Sequence, residues 1–171
     1  MKPTLIEIKS KCNNPKEIEA ILLRNNAQYI GLDHQVDTYF DVSNGRLKLR
    51  QGNIECHLIF YNRKNQAGPK QSNVILYKPQ DAEILKDILI AANNVKVVVD
   101  KQRKIFFIDN VKFHIDKVEG LGNFMEIEAI DKDGSLGTDK LHEQCAYYMK
   151  LLKVQQENLL TNSYSDMLLK R

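Results

Sequence analysis

Three basic side chains recur at every second position in the segment GRLKLR, residues 45–50. Arg46, Lys48 and Arg50 alternate there with Leu47 and Leu49. Because successive side chains of a β-strand point to opposite faces, the three cations share one face and the leucines share the other. Taken alone, this pattern also fits a half-buried strand with a solvated basic face, so a function has to be argued from the rest of the chain.

Other segments repeat this design with acids and bases mixed on one face. In LIEIKSK, Ile6 and Ile8 lie on one face, and Glu7, Lys9 and Lys11 lie on the other. Lysine and arginine suit phosphate oxygens, whereas carboxylates suit Mg²⁺ or Mn²⁺, so such a face could hold a polyphosphate together with a divalent metal. The same alternation places further charged residues on the polar faces of later strands: Lys101 and Arg103, then Asp116 in VKFHID, then Glu126 and Glu128 in FMEIEA.

The elements that carry these residues are mostly consecutive strands separated by short turns. Such a chain favours a largely antiparallel sheet and an α+β fold. In the segment 13–26, Asn14, Pro15 and Glu17 are typical of a helix start. The pattern predicts strands at about 4–12, 28–34, 37–42, 45–51, 54–62, 72–78, 95–108, 111–118 and 123–131, and helices at about 13–26, 81–94, 141–152 and 163–170.

The composition limits the classes of function. The 171 residues are enough for one domain, and the formal charge of +3 is too small to indicate nucleic-acid binding on charge alone. The acids interleaved with the cations also argue against a nucleic-acid partner. Three widely spaced cysteines, no signal peptide and no apolar run long enough for a membrane span favour a cytoplasmic protein without a membrane partner.

Two architectures satisfy a sheet with one apolar face and one charged face. An open sheet could bury its apolar face under helices and leave the charged face in water. Alternatively, the sheet could close into a barrel with helices on its apolar outside and the charges in its lumen. The second arrangement requires the charges to be paired or to hold a charged ligand, and periodicity alone does not decide between the two.

The chain resembles the CYTH family, the triphosphate tunnel enzymes, and within that family the class IV adenylyl cyclase branch. Five segments that together extend along essentially the whole chain carry the resemblance: IEIKSK, VDTYFDVSNGRLKLR, LYK, DKQRKIFFIDNVKFHIDKVEGLGNFMEIEA and VQQENLLTNSYSDMLL. The resemblance implies one domain over residues 1–171. Its fold would be a closed antiparallel β-barrel covered by helices, whose lumen binds a triphosphate and Mg²⁺ or Mn²⁺. A homodimer is one candidate state.

The resemblance also implies roles for individual residues. Glu7 and Lys9 correspond to the second Glu and the Lys of the family motif ExExK, and Leu5 stands where the first Glu would be. Lys9 and Arg103 are the expected catalytic cations. The expected phosphate ligands are Lys9, Lys11, Arg46, Lys48, Arg50, Lys78, Lys101 and Arg103, and the expected metal ligands are Glu7, Asp116, Glu126 and Glu128.

Three functions follow as alternatives. The first is an adenylyl cyclase that converts ATP to cyclic AMP and pyrophosphate. The second is a triphosphatase acting on inorganic triphosphate, thiamine triphosphate or a nucleotide. The third, which the loss of an acid at Leu5 favours, is a polyphosphate- or nucleotide-binding module without catalysis.

Overall fold

The computed structural model of the protein describes residues 2–171. Eight antiparallel strands form a closed barrel in the order β1-β5-β4-β3-β2-β6-β7-β8. The strands are β1 (Thr4–Lys11), β2 (Gln28–Phe40), β3 (Arg46–Gly52), β4 (Cys56–Asn62), β5 (Lys70–Tyr77), β6 (Val95–Ile108), β7 (Val111–Val118) and β8 (Gly122–Asp131).

The barrel closes through β1, which pairs with both β5 and β8. Leu5 lies opposite Ser72 on one side and opposite Ile130 on the other. These pairings join the first strand to strands about 65 and 125 residues away, so no local pattern in the sequence encodes them. Closure therefore selects the barrel, with the charged strand faces directed into the lumen, over the open sheet.

Four helices complete the chain: α1 (Pro15–Arg24), α2 (Ala82–Ala92), α3 (Thr138–Leu151) and α4 (Tyr164–Leu169). Helix α1 begins as the sequence predicts, because the Asn14 side chain accepts a hydrogen bond from the Glu17 backbone N–H and Pro15 occupies the first turn. A short 3₁₀ turn, Gln156–Asn158, precedes α4. In the part of the chain that the structure describes, no helix has the length and apolarity required to span a membrane.

The main hydrophobic core lies outside the barrel, between its wall and the helices. Ile6 and Ile8 on β1 and Ile127 on β8 pack there against Leu22 of α1 and Leu141 of α3. All five side chains are fully buried. Burial of the outward face fixes the register of each strand, because a slip by one residue would move the charged face into this core.

One element differs from the sequence prediction. The segments 28–34 and 37–42 form a single strand, Gln28–Phe40, rather than two. This strand pairs with β6 along almost its whole length, and the register shift between Tyr29 and Gly31 is absorbed without ending the strand. Pairing with a long neighbour therefore outweighs the polar residues that suggested a break.

Candidate active site

Strands β1 and β8 arrange the candidate site in layers along the lumen. Glu7 lies opposite Glu128, and Lys9 lies opposite Glu126. The Lys9 ammonium is 2.9 Å from a Glu126 carboxylate oxygen, and both side chains are almost fully buried. The alternation in IEIKSK and FMEIEA therefore places the three acids and Lys9 on the face that lines the lumen, as the sequence predicts.

A second group of charges converges on one carboxylate of β2. Lys48, Arg50 and Lys101 all contact Asp37, at distances of 2.8 to 2.9 Å. Arg50 makes two hydrogen bonds, one to each carboxylate oxygen. Burial disfavours the charged form of Asp37, but Arg50, Lys101 and Lys48 outweigh it and hold the pKa of this carboxyl well below its ordinary value. Three cations around one anion form a basic wall with an excess of positive charge.

Asp116 positions Arg103 and does not line the lumen. Its two oxygens accept hydrogen bonds of 2.7 and 2.6 Å from Arg103, and the Tyr164 hydroxyl donates a third at 2.7 Å. Burial raises the pKa of Asp116, but the Arg103 guanidinium more than offsets that effect, and the pKa is lowered. Because Asp116 does not line the cavity and Arg103 binds both of its oxygens, it fits the orientation of a phosphate-binding arginine better than the metal-ligand role that the resemblance implied.

His114 joins the acids that could hold a metal. One ligand atom from each of His114, Glu126 and Glu128 lies within 4.8 Å of the others. The His114 Nδ1 is 2.9 Å from Glu126, whereas its Nε2 is buried without a hydrogen-bond partner. Burial and the nearby Arg103 lower the pKa of this histidine and so favour the neutral, metal-ligating imidazole. Carboxylates fit Mg²⁺ or Mn²⁺, and an added imidazole suits Mn²⁺.

Glu7 lies beside this metal-capable group but already has a cationic partner. Its carboxylate forms an ion pair with Arg63, which directly follows β4. Arg63 was not among the predicted site residues, although period-two spacing from Ile59 and Tyr61 would have assigned it to the lumen face. Arg63 contacts one Glu7 oxygen, so a metal would bind Glu7 through its second oxygen, or through both once Arg63 shifts to another anion such as a bound phosphate.

Three of the predicted phosphate ligands do not line the lumen. Lys11 is exposed at the last position of β1, beyond the paired acids, and Lys78 is exposed just after the end of β5. Arg46 faces α4, where it pairs with Asp166 at 3.0 Å and donates a hydrogen bond to Asn65. Strand alternation assigned Lys11 and Arg46 to the charged face but gave no depth along the strand, and Lys78 was expected from the family resemblance alone.

Further lumen residues were missed. Glu55 pairs with Lys112 and lies 3.4 Å from Arg50, and these cations hold the Glu55 pKa below its ordinary value despite burial. Glu55 precedes β4 and Lys112 belongs to the alternating VKFHID segment, so only Lys112 had a signal in the sequence. The cavity in the lumen has a volume of about 210 Å³, and the predicted residues that line it are Glu7, Lys9, Lys48, Arg50, Lys101, Arg103, Glu126 and Glu128.

The C-terminal segment covers one end of the barrel. The Lys9 ammonium lies 3.6 Å from the centre of the Tyr164 ring, and Lys70 donates hydrogen bonds to the backbone carbonyls of Leu160 and Thr161. Tyr164 was not among the predicted site residues, yet it lines the cavity and its hydroxyl donates a hydrogen bond to Asp116. Towards the opposite end, where β1 starts, Pro3, Leu5 and Ile130 line the cavity.

Comparison with known proteins assigns the chain to a family. A family model described as the CYTH domain matches residues 4–164, so the chain belongs to the CYTH family. A Methanocaldococcus jannaschii protein named "Putative adenylate cyclase MJ0240" is 25% identical over 170 residues, which cover 95% of this chain and 97% of that protein.

Solved structures share the fold. The PH1012 protein of Pyrococcus horikoshii OT3 superposes with a TM-score of 0.82 at 22% identity, covering 95% of this chain and 98% of that one. A Hippeastrum protein described as "Putative adenylyl cyclase HpAC1" superposes with a TM-score of 0.62 at 13% identity, covering 97% and 95% of the two chains. This chain therefore shares its fold with both of these proteins.

Proposed function

We propose that this protein is a metal-dependent enzyme that binds a triphosphate in the barrel lumen and that its reaction is the conversion of ATP to cyclic AMP and pyrophosphate. The observation that carries the proposal is the convergence of two basic groups and a metal-capable acidic group on one cavity. Lys48, Arg50 and Lys101 form the basic wall, and Lys9 and Arg103 both contact Glu126. The cyclase name of the Methanocaldococcus jannaschii relative supports the same reaction.

In this mechanism the basic residues neutralise charge. Lys48, Arg50 and Lys101 bind phosphate oxygens and stabilise the pyrophosphate that leaves. Lys9 and Arg103 are placed to stabilise charge that develops on the reacting phosphoryl group, and Asp116 keeps the Arg103 guanidinium oriented. Mg²⁺ or Mn²⁺ held by Glu126 and Glu128, with Glu7 or His114, would polarise the phosphoryl oxygens and lower the pKa of the attacking hydroxyl.

A triphosphatase is the second candidate, because the same residues could act on the terminal phosphate with water as nucleophile. The triphosphatase is supported by the Hippeastrum protein of similar fold, which is described as having a dominant triphosphatase activity. The two reactions differ in which phosphorus is attacked. They give cyclic AMP with pyrophosphate in one case and inorganic phosphate in the other.

The test is a product analysis. Purified protein would be incubated with ATP or inorganic triphosphate in the presence of Mg²⁺, Mn²⁺ or EDTA, and all products resolved. We expect metal-dependent cyclic AMP that falls at least 100-fold in both Glu126→Ala and Arg50→Ala. The matched control is Glu143→Ala, which removes a carboxylate 71% exposed on α3.

Phosphate release without cyclic AMP would replace the cyclase with the triphosphatase. Absence of turnover, combined with polyphosphate binding that Arg50→Ala abolishes and EDTA leaves unchanged, would instead show a binding module. Equal loss of activity in Glu143→Ala and Glu126→Ala would show that the losses reflect unfolding rather than chemistry.

A further inference from the structure

Tyr164 brings a side chain of the C-terminal segment, residues 159–169, to both cations that the proposed mechanism places at the reacting phosphoryl group. Tyr164 is the first residue of α4, and its side chain is almost fully buried. The centre of its ring lies 3.6 Å from the Lys9 ammonium. Its hydroxyl donates a hydrogen bond of 2.7 Å to Asp116, the carboxylate that orients Arg103. One tyrosine therefore contacts Lys9 directly and Arg103 through Asp116.

These contacts close a ring of five buried side chains. Lys9 lies 2.9 Å from Glu126, which accepts a hydrogen bond of 3.0 Å from Arg103. Arg103 in turn donates to both oxygens of Asp116. Tyr164 connects Asp116 back to Lys9. The four charged members belong to β1, β8, β6 and β7, whereas the tyrosine belongs to α4, so the ring is complete only when the C-terminal segment is docked on the barrel.

The aromatic ring of Tyr164 can hold Lys9 in place without neutralising it. The face of an aromatic ring attracts an ammonium through its quadrupole, and this attraction is stronger where both groups are desolvated. Both side chains are almost fully buried. The ammonium therefore keeps its full positive charge for a phosphate oxygen while its position is restricted.

The hydroxyl of Tyr164 restricts the carboxylate of Asp116. It donates to the oxygen that also accepts a hydrogen bond from the Arg103 Nη2. A hydrogen bond to an ionised acceptor is shorter and stronger than one between neutral groups. Because Asp116 sets the orientation of the guanidinium, a carboxylate that can rotate would let Arg103 turn away from the lumen.

A role in apolar packing would require only the ring of Tyr164. Phe124 lies 5.0 Å from Tyr164 between ring centres, and Met167 and Leu168 pack against the same cluster. A phenylalanine would fill this cluster equally well. The hydroxyl, which is directed to Asp116, therefore needs an explanation other than packing.

Other contacts hold the C-terminal segment on the barrel. The Leu160 backbone N–H donates a hydrogen bond of 3.0 Å to the Lys9 carbonyl, and the Leu160 carbonyl accepts one from Lys70. Asp166 pairs with Arg46. Removal of the tyrosine hydroxyl alone should therefore leave α4 docked, so the hydroxyl can be tested separately from the docking.

We propose that Tyr164 is a positioning residue whose hydroxyl orients Arg103 through Asp116 and whose ring holds Lys9, so that the C-terminal segment completes the phosphate-binding site. This inference rests on the proposed binding of a polyphosphate in the lumen. Tyr164 acts through its neighbours and transfers no proton.

The experiment is a double-mutant cycle on ligand affinity. Equilibrium titration with inorganic triphosphate in EDTA, which prevents metal-dependent turnover, would give Kd values for the wild type, Tyr164→Phe, Asp116→Asn and the double variant. The matched control is Tyr147→Phe, which removes the hydroxyl of a tyrosine that is 61% exposed on α3. Hydrogen exchange of the α4 amides would show whether the helix stays docked.

We expect Tyr164→Phe to raise the Kd of triphosphate about tenfold, because a hydrogen bond to a charged group is lost. In the Asp116→Asn background the same substitution should change the Kd less than about twofold, since the hydroxyl acts through that carboxylate. Tyr147→Phe should keep the wild-type Kd.

Tyr164→Leu tests the aromatic ring. It removes the ring together with the hydroxyl, so its Kd should exceed that of Tyr164→Phe by a further factor of about three. In a Lys9→Met background Tyr164→Phe and Tyr164→Leu should bind triphosphate equally, because no ammonium remains for the ring to hold. Phenylalanine would thus rescue the part of the affinity that depends on the ring.

An unchanged Kd in Tyr164→Phe, or additive effects of Tyr164→Phe and Asp116→Asn, would overturn the proposal. Undocking of α4 in Tyr164→Phe would also overturn it, because the loss of affinity would then come from the lost cover. Equal Kd values for Tyr164→Phe and Tyr164→Leu would overturn the role of the ring. If Asp116→Asn does not fold, Arg103→Lys takes its place in the cycle, because a lysine cannot be held by both oxygens of Asp116.

The same titrations separate this inference from the proposed function. A wild type that does not bind triphosphate would refute both. Binding with coupling between Tyr164 and Asp116, but without turnover of ATP or triphosphate, would leave this inference standing and refute the enzyme. Turnover without coupling would do the reverse.

Discussion

Asp37 is the residue on which the basic wall depends. It is fully buried, and it is the common partner of Lys48, Arg50 and Lys101. Removal of one member of a buried ion pair is costly because the partner keeps its charge without compensation. Here a single carboxylate compensates three cations, so its loss should destabilise all three residues of the basic wall.

We expect Asp37→Ala to lower the free energy of unfolding by about 3–5 kcal/mol. The measurement is urea unfolding followed by circular dichroism. Asp100→Ala is the control, because Asp100 pairs with His34 in an exposed position where such pairs contribute at most about 1 kcal/mol. Equal destabilisation by the two substitutions would contradict the role assigned to Asp37.

Lys101 should make stability and ligand affinity depend on pH. Burial lowers its pKa to about 7, and the neighbouring Arg50, Arg103 and Lys48 act in the same direction against the attraction of Asp37. The unfolded chain would have an ordinary lysine pKa of about 10.4, so it binds more protons than the folded chain between these values. The free energy of unfolding should therefore rise with pH from about 7 to about 10.

Polyphosphate binding should show the opposite trend, because the anion requires the charged form of Lys101. Affinity for inorganic triphosphate should fall as pH rises above about 7, with uptake of a proton on binding. Lys101→Met keeps the side-chain volume and removes the charge. It should therefore reduce the pH dependence of the free energy of unfolding and that of the triphosphate affinity. Burial also lowers the pKa of Lys70 to about 8, so Lys70 makes a smaller contribution to the pH dependence in the wild type and in Lys101→Met. Unchanged slopes in Lys101→Met would exclude Lys101 as the titrating group.

At the scale of elements, α4 holds the covered end of the barrel in place. Ser163 accepts a hydrogen bond from the Asp166 backbone N–H, and the Asp166 carboxylate accepts one from the Ser163 backbone N–H, which forms a capping box. The same carboxylate pairs with Arg46 of β3. The Asp166 side chain thus both caps the N-terminus of α4 and connects this helix to the barrel through an ion pair.

We expect Asp166→Ala to lower the free energy of unfolding by about 1–2 kcal/mol, because a cap and a half-buried ion pair are lost together. Limited proteolysis should also cleave the segment 153–163 sooner. The control is Asp139→Ala, which removes an exposed first-turn acid of α3 without a contact to the barrel. Equal sensitivity of both variants to protease would contradict the fastening role of Asp166.

The fold and most of the lumen residues could be predicted from particular local patterns. Alternation in IEIKSK and GRLKLR correctly assigned faces to Glu7, Lys9, Lys48 and Arg50, and the cap at Asn14 marked the start of α1. Closure of the barrel could not be derived from alternation, because it depends on the pairing of β1 with β5 and β8. The resemblance to the CYTH family supplied that step.

The sequence was less informative where the role of a residue depends on its depth along the barrel or on its hydrogen-bond and ion-pair partners. Lys11 shares the charged strand pattern, and Lys78 was expected from the family resemblance, but they lie at the end of β1 and just after β5, outside the lumen. Asp116 has the right residue type for a metal ligand, yet it does not line the cavity, and Arg103 binds both of its oxygens. His114 was set aside because a single histidine usually has a structural role, and only three-dimensional packing brings it to Glu126 and Glu128.

For the whole molecule, the excess of positive charge lies in the lumen. The chain has 25 basic and 22 acidic side chains, of which eight basic and five acidic residues line the cavity. The remaining residues comprise 17 of each sign. The net charge of +3 therefore coincides with the lumen surplus, and the rest of the chain is balanced.

This distribution predicts how anions change the stability of the protein. Ligands that bind only the folded state stabilise it by mass action, about 2.7 kcal/mol at a concentration 100 times the Kd. Inorganic triphosphate should therefore raise the melting temperature far more than chloride at equal ionic strength, because the cations that attract it are gathered in one folded cavity.

Lys48→Ala should reduce the stabilisation by triphosphate at least by half while leaving the stability without ligand nearly unchanged. Asp37 keeps Arg50 and Lys101 as partners in that variant, so no buried charge is left uncompensated. Lys140→Ala removes an equal charge from an exposed site on α3 and should leave the ligand effect intact. Differential scanning fluorimetry at constant ionic strength measures both quantities. If Lys140→Ala weakened the triphosphate effect as much as Lys48→Ala, the effect would arise from overall charge and not from the lumen.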